Sequence, residues 1–364
     1  MRKLLLLLVL ALLLSVRAAA GDIMQQEAEL LQLDTLYDAL TPDARTLLGE
    51  ATPTTSVSFG KSLLSMLYDV LGGSESALQQ AGKSAATLLC VVLLCAITHG
   101  LELPFSDTAI SLVGALGITL VCTQSLSGMV TLAGDTLDRL SGFTTLLLPA
   151  LSSVLMASGG LTAGAALYTG SCIFIDLLVR CVKMLLLPLT YAYLALAAAS
   201  CAAGASRLRG IQELVGWTIR TALKGIMYVF TAYISLTGLV SGSADAATLK
   251  AAKAALSGVV PVVGGIISDA SESVLAAAAA LKATAGIFGL LAIAALVLSP
   301  FIRIGLFCLA MKLTGAVGGV FALPAHASLL SDVSTAMGYL LAMTGSCALM
   351  AMLSCCCFMR AVSG

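Results

Sequence analysis

The sequence predicts an all-α integral membrane protein, a polytopic bundle of about seven transmembrane helices with an N-terminal signal peptide. Of the 364 residues, 59% are hydrophobic and only 10% are charged, and the mean hydropathy is +1.03. So few polar side chains could not cover the surface of a soluble domain, in which about a quarter of residues are charged. Long uncharged stretches recur along the chain, and most of them reach the roughly 20 residues that a spanning helix needs.

The charges and the potentially reactive residues exclude several classes of function. The 19 basic and 19 acidic residues give a formal net charge of +0, so the chain lacks the basic footprint of a nucleic-acid-binding protein. No catalytic motif is present, His99 and His326 are isolated, and Cys355–Cys357 are adjacent rather than spaced as metal ligands. We therefore expect no enzyme activity, no metal and no cofactor, with the lipid bilayer as the main surroundings of the chain.

Residues 1–20 have the composition of a secretory signal peptide, with a positive start, an apolar run and small residues at an A-x-A cleavage site. These parts are Arg2 and Lys3, Leu4–Leu14, and Ala18 and Ala20. The apolar run is too short to span a bilayer, which takes about 20 residues. We expect the mature chain to begin near Gly21, outside the cytoplasm. The alternative is an uncleaved anchor, because Arg17 lies just beyond the run.

Residues 21–82 are more polar, and we expect an extracytoplasmic amphipathic helical region here. Thr41 and Pro42 are typical of a helix start, where an N-cap residue precedes proline at the first helical position. Residues 52–58 are rich in Pro, Thr and Ser and predict a linker. From residue 59 to residue 71 apolar side chains recur on one helical face. That face can lie on the membrane surface, dock onto a partner or pack on the chain's own bundle.

The predicted spans fall into residues 83–245, with about five or six helices, and the C-terminal residues 283–364. Ser158–Gly160 and the region from Lys183 to Pro188 are predicted to separate helices. The total is about seven spans, within a range of about six to eight. The uncharged stretches are Ser84–Leu101, Ala109–Gly134, Phe143–Ile175, Gly225–Ala244, Ala283–Ile302, Leu313–Ser331 and Val333–Met359.

The positive charges indicate how these helices are oriented. With the mature N-terminus outside, counting the spans places Arg207, Arg209, Arg220 and Lys224 at a cytoplasmic loop. This agrees with the excess of Lys and Arg that cytoplasmic loops carry. The single Arg360 at the carboxyl end leaves the orientation of the C-terminus open.

Three charges within the apolar region are candidate functional residues. Asp176, Arg180 and Lys183 stand at i, i+4 and i+7, so a helix presents them on one face and Asp176 is placed to pair with Arg180. They can line a conduit or couple helices, because a charge within the bilayer needs water, a partner or the bundle interior. Alternatively, Arg180 and Lys183 mark the end of a span and reach the interface. Arg303 and Lys312 raise the same two alternatives.

Residues 246–282 predict a broken amphipathic or re-entrant helical hairpin. Breaks are expected at Ser257–Gly258 and again at Pro261 with Gly264 and Gly265, and Asp269 with Glu272 resembles a capping box that opens the next helix. Non-helical backbone at membrane depth is found where protein or a water-filled cavity surrounds it, so a re-entrant hairpin would mark a conduit or gate. The alternative is a hairpin lying on the outer surface.

The order of these features resembles a known family. A signal, a short polar ectodomain and about seven spans provide the layout, and a more specific motif lies within residues 238–290. The segments that carry it are 242–245 (GSAD), 250–253 (KAAK), 257–265 (SGVVPVVGG), 268–269 (SD) and 282–286 (KATAG). In layout and motif the chain is similar to stage III sporulation protein AE of endospore-forming Firmicutes.

The resemblance implies a subunit of the complex that the mother cell builds in the outer forespore membrane, with the mature N-terminus in the intermembrane space. It implies as partners the other stage III sporulation channel-complex proteins, including a cytoplasmic secretion-type ATPase and ring-forming membrane subunits. In this family the complex is thought to form a feeding channel that sustains forespore development. The chain would be its permease-like or export-apparatus-like component, or alternatively a non-conducting membrane scaffold that assembles the ring subunits and the ATPase.

Overall fold

The computed structural model describes residues 34–49, 52, 58–100, 107–157, 161–203, 206–259, 264–321 and 324–360, with the backbone alone between 237 and 282. These residues form helices and no strand, which confirms the all-α prediction. The predicted cleavage site at Ala18 and Ala20 lies outside the described residues. The helices are α1 (Asp34–Asp38), α2 (Pro42–Leu48), α3 (Phe59–Gly72), α4 (Glu75–Gly100), α5 (Asp107–Ala157), α6 (Leu161–Cys181), α7 (Leu187–Ala203), α8 (Ser206–Val259), α9 (Gly264–Phe321) and α10 (Pro324–Arg360).

Helices α1 and α2 form a small amphipathic unit at the start of the described residues. Thr41 is the N-cap of α2, its hydroxyl accepts from the amide of Ala44 at 3.4 Å, and Pro42 occupies the first helical position, as predicted. Arg45 donates to the carbonyl of Leu40 at 3.2 Å and lies over the ring of Tyr37. Because Arg45 reaches back across the turn, it holds α1 against α2.

Helix α3 covers residues 59–72 and has apolar side chains on two sides. Met66 and Val70 are buried against the bundle, so α3 packs on its own chain, one of the predicted alternatives. Leu64 and Tyr68 on the other side are 67% and 80% exposed. The outer face of α3 therefore remains available to lipid or protein.

The predicted domain boundaries at 82/83, 245/246 and 282/283 fall inside continuous helices. Helix α4 begins at Glu75, and α8 runs without a break from Ser206 to Val259. Helix α5 joins the predicted stretch Ala109–Gly134 to the start of Phe143–Ile175. Asp135, Asp138 and Arg139 separate these stretches in hydropathy, but an aspartate costs a helix interior only about 0.7 kcal/mol, so the helix continues where these charges reach water or a partner.

Four helical segments within the described ranges are long and apolar enough to cross a membrane. They are Glu75–Thr98, Leu112–Met156, Ala283–Val320 and His326–Arg360. This count does not confirm about seven spans. The difference arises where predicted stretches share one helix, as in α5, or where one stretch is divided between two helices. Leu313–Ser331 is divided in this way, because α9 ends at Phe321 and α10 begins at Pro324.

The predicted helix separators have different outcomes. Helix α5 ends at Ala157 and α6 begins at Leu161, on either side of the predicted boundary at 158–160. In contrast, α6 continues into α7 through a π-helical turn, Val182–Leu186. Pro188 explains this turn, since proline lacks the N–H that would bond the carbonyl four residues earlier and its ring clashes with that carbonyl. A wider turn relieves the clash without ending the helix.

The helix ends near residue 260 differ from the predicted helix breaks. Helix α8 continues through Ser257 and Gly258 to Val259, so the predicted break at that pair is wrong. Helix α9 begins at Gly264, so Asp269 lies inside it and does not open a helix. Isolated glycines cost a helix only about 1 kcal/mol each, which long helices tolerate. Pro261 lies outside the described residues, and the hairpin itself stays a prediction.

Helices α5, α9 and α10 form the antiparallel centre of the bundle. Along α9 and α10, the thiol of Cys308 donates to the carbonyl of Ser334 at 3.6 Å, and the thiol of Cys355 donates to that of Gly286 at 3.1 Å. On the α5 side, a Cβ on Gly289 would lie 3.0 Å from Leu147, so α5 and α9 pack closely there. These contacts fix which residues of the three long helices stand at the same height.

Candidate functional site

The predicted pair on α6 forms as its spacing indicates. Arg180 Nε lies 2.8 Å from Asp176 Oδ2, and the two side chains are 69% and 59% exposed. The pair therefore lies on the outside of the part of the bundle that the structure describes. A conduit role for Asp176 and Arg180 stays a prediction about the assembled complex.

The third predicted residue has a different partner. Lys183 Nζ lies 2.6 and 2.7 Å from the two carboxylate oxygens of Asp138 on α5. Lys183 lies in the π-helical turn, where the wider turn changes the direction of its side chain relative to the i+7 position of a regular helix. Sequence spacing could not identify Asp138, because the register of α6 on α5 decides which carboxylate Lys183 reaches.

A polar cavity of about 200 Å³ lies at the same height, between α2, α5 and α9. Asp135 and Arg139 line it from α5, Arg303 lines it from α9, and Asp43 lines it from α2. Two neighbouring cavities, each of about 240 Å³, also border Arg303. We call Asp135, Asp138, Arg139, Lys183 and Arg303 the charged belt.

The backbone contributes polarity to this cavity as well. Pro300 lies inside α9 and lines the cavity together with Leu296 and Ser299. Because proline has no N–H, the carbonyl of Leu296 loses its usual i+4 donor. A water molecule commonly satisfies such a carbonyl where the helix bends, and the cavity leaves room for one. Three members of the charged belt, Asp135, Arg139 and Arg303, thus line a space with room for water.

A second polar network lies between α7, α8 and α10. The Tyr193 hydroxyl donates to Asp332 Oδ1 at 3.1 Å, and the buried Gln212 is also hydrogen-bonded to Tyr193. The rings of Tyr193 and Tyr339 meet edge to face with centroids 5.4 Å apart. A Cβ on Gly216 would lie 2.5 Å from the Tyr339 hydroxyl, so only glycine admits that ring to α8. Hydropathy alone did not reveal this network, because in sequence Asp332 only separates two apolar stretches.

The remaining predicted residues are not brought to the charged belt by the described structure. Gly264 and Gly265 are the first two residues of α9. Asp269 follows in the same helix, where the structure describes the backbone alone, and Pro261 lies outside the described residues. The structure therefore does not join them with Asp176 into one site. Their conduit role stays a prediction.

His326 and Cys355, which the sequence left without a role, lie in packed interiors. The ring of His326 is fully buried, and a Cβ on Gly114 would lie 2.5 Å from its Cε1 atom. Cys355 is fully buried against Gly286. Both side chains fill space where helices approach closely.

The sequence model described as stage III sporulation protein AE matches residues 56–361, which include the charged belt and the second network. The chain belongs to the stage III sporulation protein AE family. A curated relative, stage III sporulation protein AE of Bacillus subtilis (strain 168), is 23% identical over 240 residues, which is 65% of this chain and 60% of that protein. The match thus spans less than two thirds of the relative's length. No solved structure matches the chain.

Family membership confirms the resemblance that the sequence motif indicated, and it associates the chain with sporulation. The apolar helices are those of a membrane protein. The charged belt and the Tyr193–Asp332 network are two polar features that join different helices of the described bundle.

Proposed function

We propose that this chain is the permease-like, membrane-embedded subunit of a sporulation channel complex that sustains the forespore. The observation that carries the proposal is a cavity of about 200 Å³ lined by charged residues in the helical bundle of a member of this family. The proposal includes the signal peptide at 1–20, about seven predicted spans, and a place in the outer forespore membrane with the mature N-terminus in the intermembrane space.

The charged belt supports a conduit because its arginines and a carboxylate line a cavity and not a packed apolar interior. Placing a charged side chain within hydrocarbon costs roughly several kcal/mol of free energy, so such residues usually face water or a transport path. Arg139 and Arg303 both border the cavity of about 200 Å³, together with Asp135. A bundle that served packing alone would be more stable with apolar residues there.

The proposed subunit does not supply its own energy. The sequence contains no nucleotide-binding motif, so active transport would depend on a cytoplasmic secretion-type ATPase among its partners. Ring-forming membrane subunits would extend the path beyond this chain. In this proposal the chain is not an enzyme, and its contribution is a passage whose walls carry fixed charges.

A second candidate function is a scaffold that assembles those subunits without conducting. Helix α8 continues for 23 residues beyond Leu236, from 237 to 259, which is about 35 Å of helix. Helix α9 begins 19 residues before Ala283. Helical segments of this length favour contacts with other proteins as well as with this bundle.

Sporulation of the organism that carries this chain tests the proposal. The chain's own copy is replaced by wild type, Arg303→Ala, Asp176→Ala or the control Arg209→Ala. Arg209 is a matched control because it is an exposed arginine that only approaches Glu213, at 4.0 Å, one helical turn away. The measurements are heat-resistant spore counts, forespore size, membrane levels of the chain and co-purification of the other complex subunits.

We expect Arg303→Ala to assemble normally and to leave forespores arrested, while Arg209→Ala sporulates like wild type. Loss of the co-purified subunits with Arg303→Ala would favour the scaffold over the permease-like role. Normal sporulation after deletion of the whole chain would overturn both functions. Arrest with Asp176→Ala at normal assembly would extend the conduit to the outer surface of α6.

A further inference from the structure

Two described helices are about twice as long as the hydrocarbon core of a bilayer. The apolar parts of α5 and α9, Leu112–Met156 and Ala283–Val320, contain 45 and 38 residues. At 1.5 Å per residue they measure about 68 and 57 Å, whereas the core is about 30 Å thick. Fitting 68 Å into 30 Å would need a tilt of more than about 60°, beyond the roughly 40° at which membrane helices are found.

The charged belt divides these helices at mid-height. On one side lie α4, α5 up to Gly134 and α9 after Arg303, which we call the α4 half. On the other side lie α6, α5 after Arg139 and α9 before Ser299, which we call the α6 half. The antiparallel register of α10 on α9 assigns its first part to the α4 half and its last part to the α6 half. Each half is about as thick as one bilayer core, and the charges of the α4 half include the exposed Lys83 of α4 and Lys312 of α9, whose long apolar stems let the ammonium groups reach towards an interface.

The two halves differ in what covers their helices. In the α6 half, α9 is buried around almost its whole circumference from Ala285 to Val297, so other protein segments enclose it. In the α4 half, α4 buries only a narrow stripe that includes Leu88 and Val92, while Leu94 and Ile97 are 62% and 56% exposed. Helix α4 is thus suited to lipid, whereas the centre of the α6 half already has the covering that a water-soluble bundle needs.

The N-terminal helices are part of that covering, and they carry charge. The Tyr37 ring of α1 packs on Phe288 of α9, with centroids 6.5 Å apart, well inside the α6 half. The outward side chain of Asp38 is 80% exposed, and Asp43 of α2 is exposed beside the cavity. Exposed carboxylates do not lie in hydrocarbon, so this side of the α6 half faces water.

Helix α3 reaches the charged belt and has the character of an interfacial helix. Val70 near its end and Gly73 just after it line a cavity together with Arg303. Its outer face exposes Leu64 and Tyr68. Amphipathic helices with an exposed apolar face lie at the boundary between headgroups and acyl chains, which locates that boundary at the height of the belt.

We propose that the bilayer surrounds only the α4 half, that lipid headgroups contact the charged belt, and that the α6 half stands outside the membrane on the side of the N-terminus. The ion pair of Lys183 with Asp138 and the cavity-lining charges of the belt then lie at a polar interface, where they are solvated, and do not cross hydrocarbon. Of the helices assigned to the α4 half, α4, the first part of α5, the last part of α9 and the first part of α10 then cross the bilayer. These four crossings lie within the four described segments that are long and apolar enough to span.

The single tryptophan of the chain makes a depth measurement possible. Trp217→Phe removes the native fluorophore, and one tryptophan is then returned at Leu116 in the α4 half or at Ile173 in the α6 half. These positions are a matched pair, because their side chains are 59% and 60% exposed. Each full-length variant is reconstituted in phosphatidylcholine vesicles with or without bromine on the acyl chains, and helicity by circular dichroism checks folding.

Bromine quenches a tryptophan only at short range, and the comparison does not depend on which way the protein is inserted. We expect brominated lipid to reduce the tryptophan emission of Leu116→Trp by about twofold or more and to leave the emission of Ile173→Trp nearly unchanged. The reason is that a hydrocarbon core about 30 Å thick cannot surround both positions. Equal quenching at both positions, or stronger quenching at Ile173→Trp, would overturn the proposal. Val113→Trp and Leu177→Trp, at positions 68% and 48% exposed, form a second pair if either first variant loses helicity. The outcome is independent of any role in sporulation.

Discussion

Lys183 binds both carboxylate oxygens of Asp138, at 2.6 and 2.7 Å, although 45 residues separate the two in sequence. The pair joins the π-helical turn to the middle of α5. The neighbouring pair of Asp176 and Arg180 lies within one helix, one turn apart. Two ion pairs that are close in sequence therefore have different structural roles, and mutation can distinguish them.

Charge reversal at Lys183 is predicted to destabilise the bundle. Lys183→Glu puts a second carboxylate beside Asp138, and because the pair is 39% and 58% exposed we expect a loss of about 1 kcal/mol, near the upper limit for partly solvated pairs. The double variant Asp138→Lys with Lys183→Asp should regain most of it. Thermal unfolding in detergent measures both effects.

Arg180→Glu is the control for this charge reversal. It repels Asp176 within one helix, where such pairs contribute about 0.2 to 0.5 kcal/mol, so its effect should be smaller than that of Lys183→Glu. A loss from Arg180→Glu equal to that from Lys183→Glu would mean that the contact with α5 adds nothing.

Gly170 is predicted to be essential for packing α6 on α8. The Tyr233 ring lies directly against Gly170, where a Cβ would overlap it, and the Tyr233 hydroxyl donates to the carbonyl of Ala166 at 2.8 Å. Gly170→Ala should therefore cost about 1 to 3 kcal/mol through overpacking. Thermal unfolding of the purified chain measures the loss.

Gly225 supplies the matched control for Gly170. A Cβ there would meet nothing within 4 Å, so Gly225→Ala should be neutral or stabilise α8 by about 0.5 to 1 kcal/mol. Equal effects of the two alanine variants would show that the Tyr233 contact does not make Gly170 sensitive to substitution.

Features that depend on one or two helical turns could be predicted from the sequence. The pairing of Asp176 with Arg180 and the N-cap at Thr41 are examples, because i,i+4 and N-cap geometry are local. The partner of Lys183 could not be predicted, because it depends on how two helices are aligned. In a hydropathy profile every charged residue is a possible end of a span. Asp332 instead lies inside α10, where the Tyr193 hydroxyl donates a hydrogen bond to it.

The Tyr193–Asp332 hydrogen bond is predicted to stabilise the contact between α7 and α10. Tyr193→Phe keeps the ring against Tyr339 but removes the donor to Asp332, which should cost about 1 to 2 kcal/mol because the bond is to a half-buried carboxylate. Tyr191→Phe, at a position 37% exposed on the same helix, should change the unfolding temperature little. A result in which both variants behave alike would remove the assigned role of Asp332.

The contact between Tyr37 and Phe288 is predicted to hold the N-terminal helices over the cavity at Arg303. Tyr37→Ala removes the ring that packs on α9 and that lies under the Arg45 guanidinium, at 5.4 Å from its centroid. Loss of these contacts should cost about 1.4 kcal/mol or more, which raises the amide exchange rates of α1 and α2 about tenfold. Tyr68→Ala is the control, since Tyr68 is 80% exposed on α3. If Tyr37→Ala accelerates exchange in α1 and α2 while α9 stays protected, these helices form a separable cover over the cavity. Exchange that rises equally throughout α9 would instead show that the N-terminal helices are an inseparable part of the bundle core.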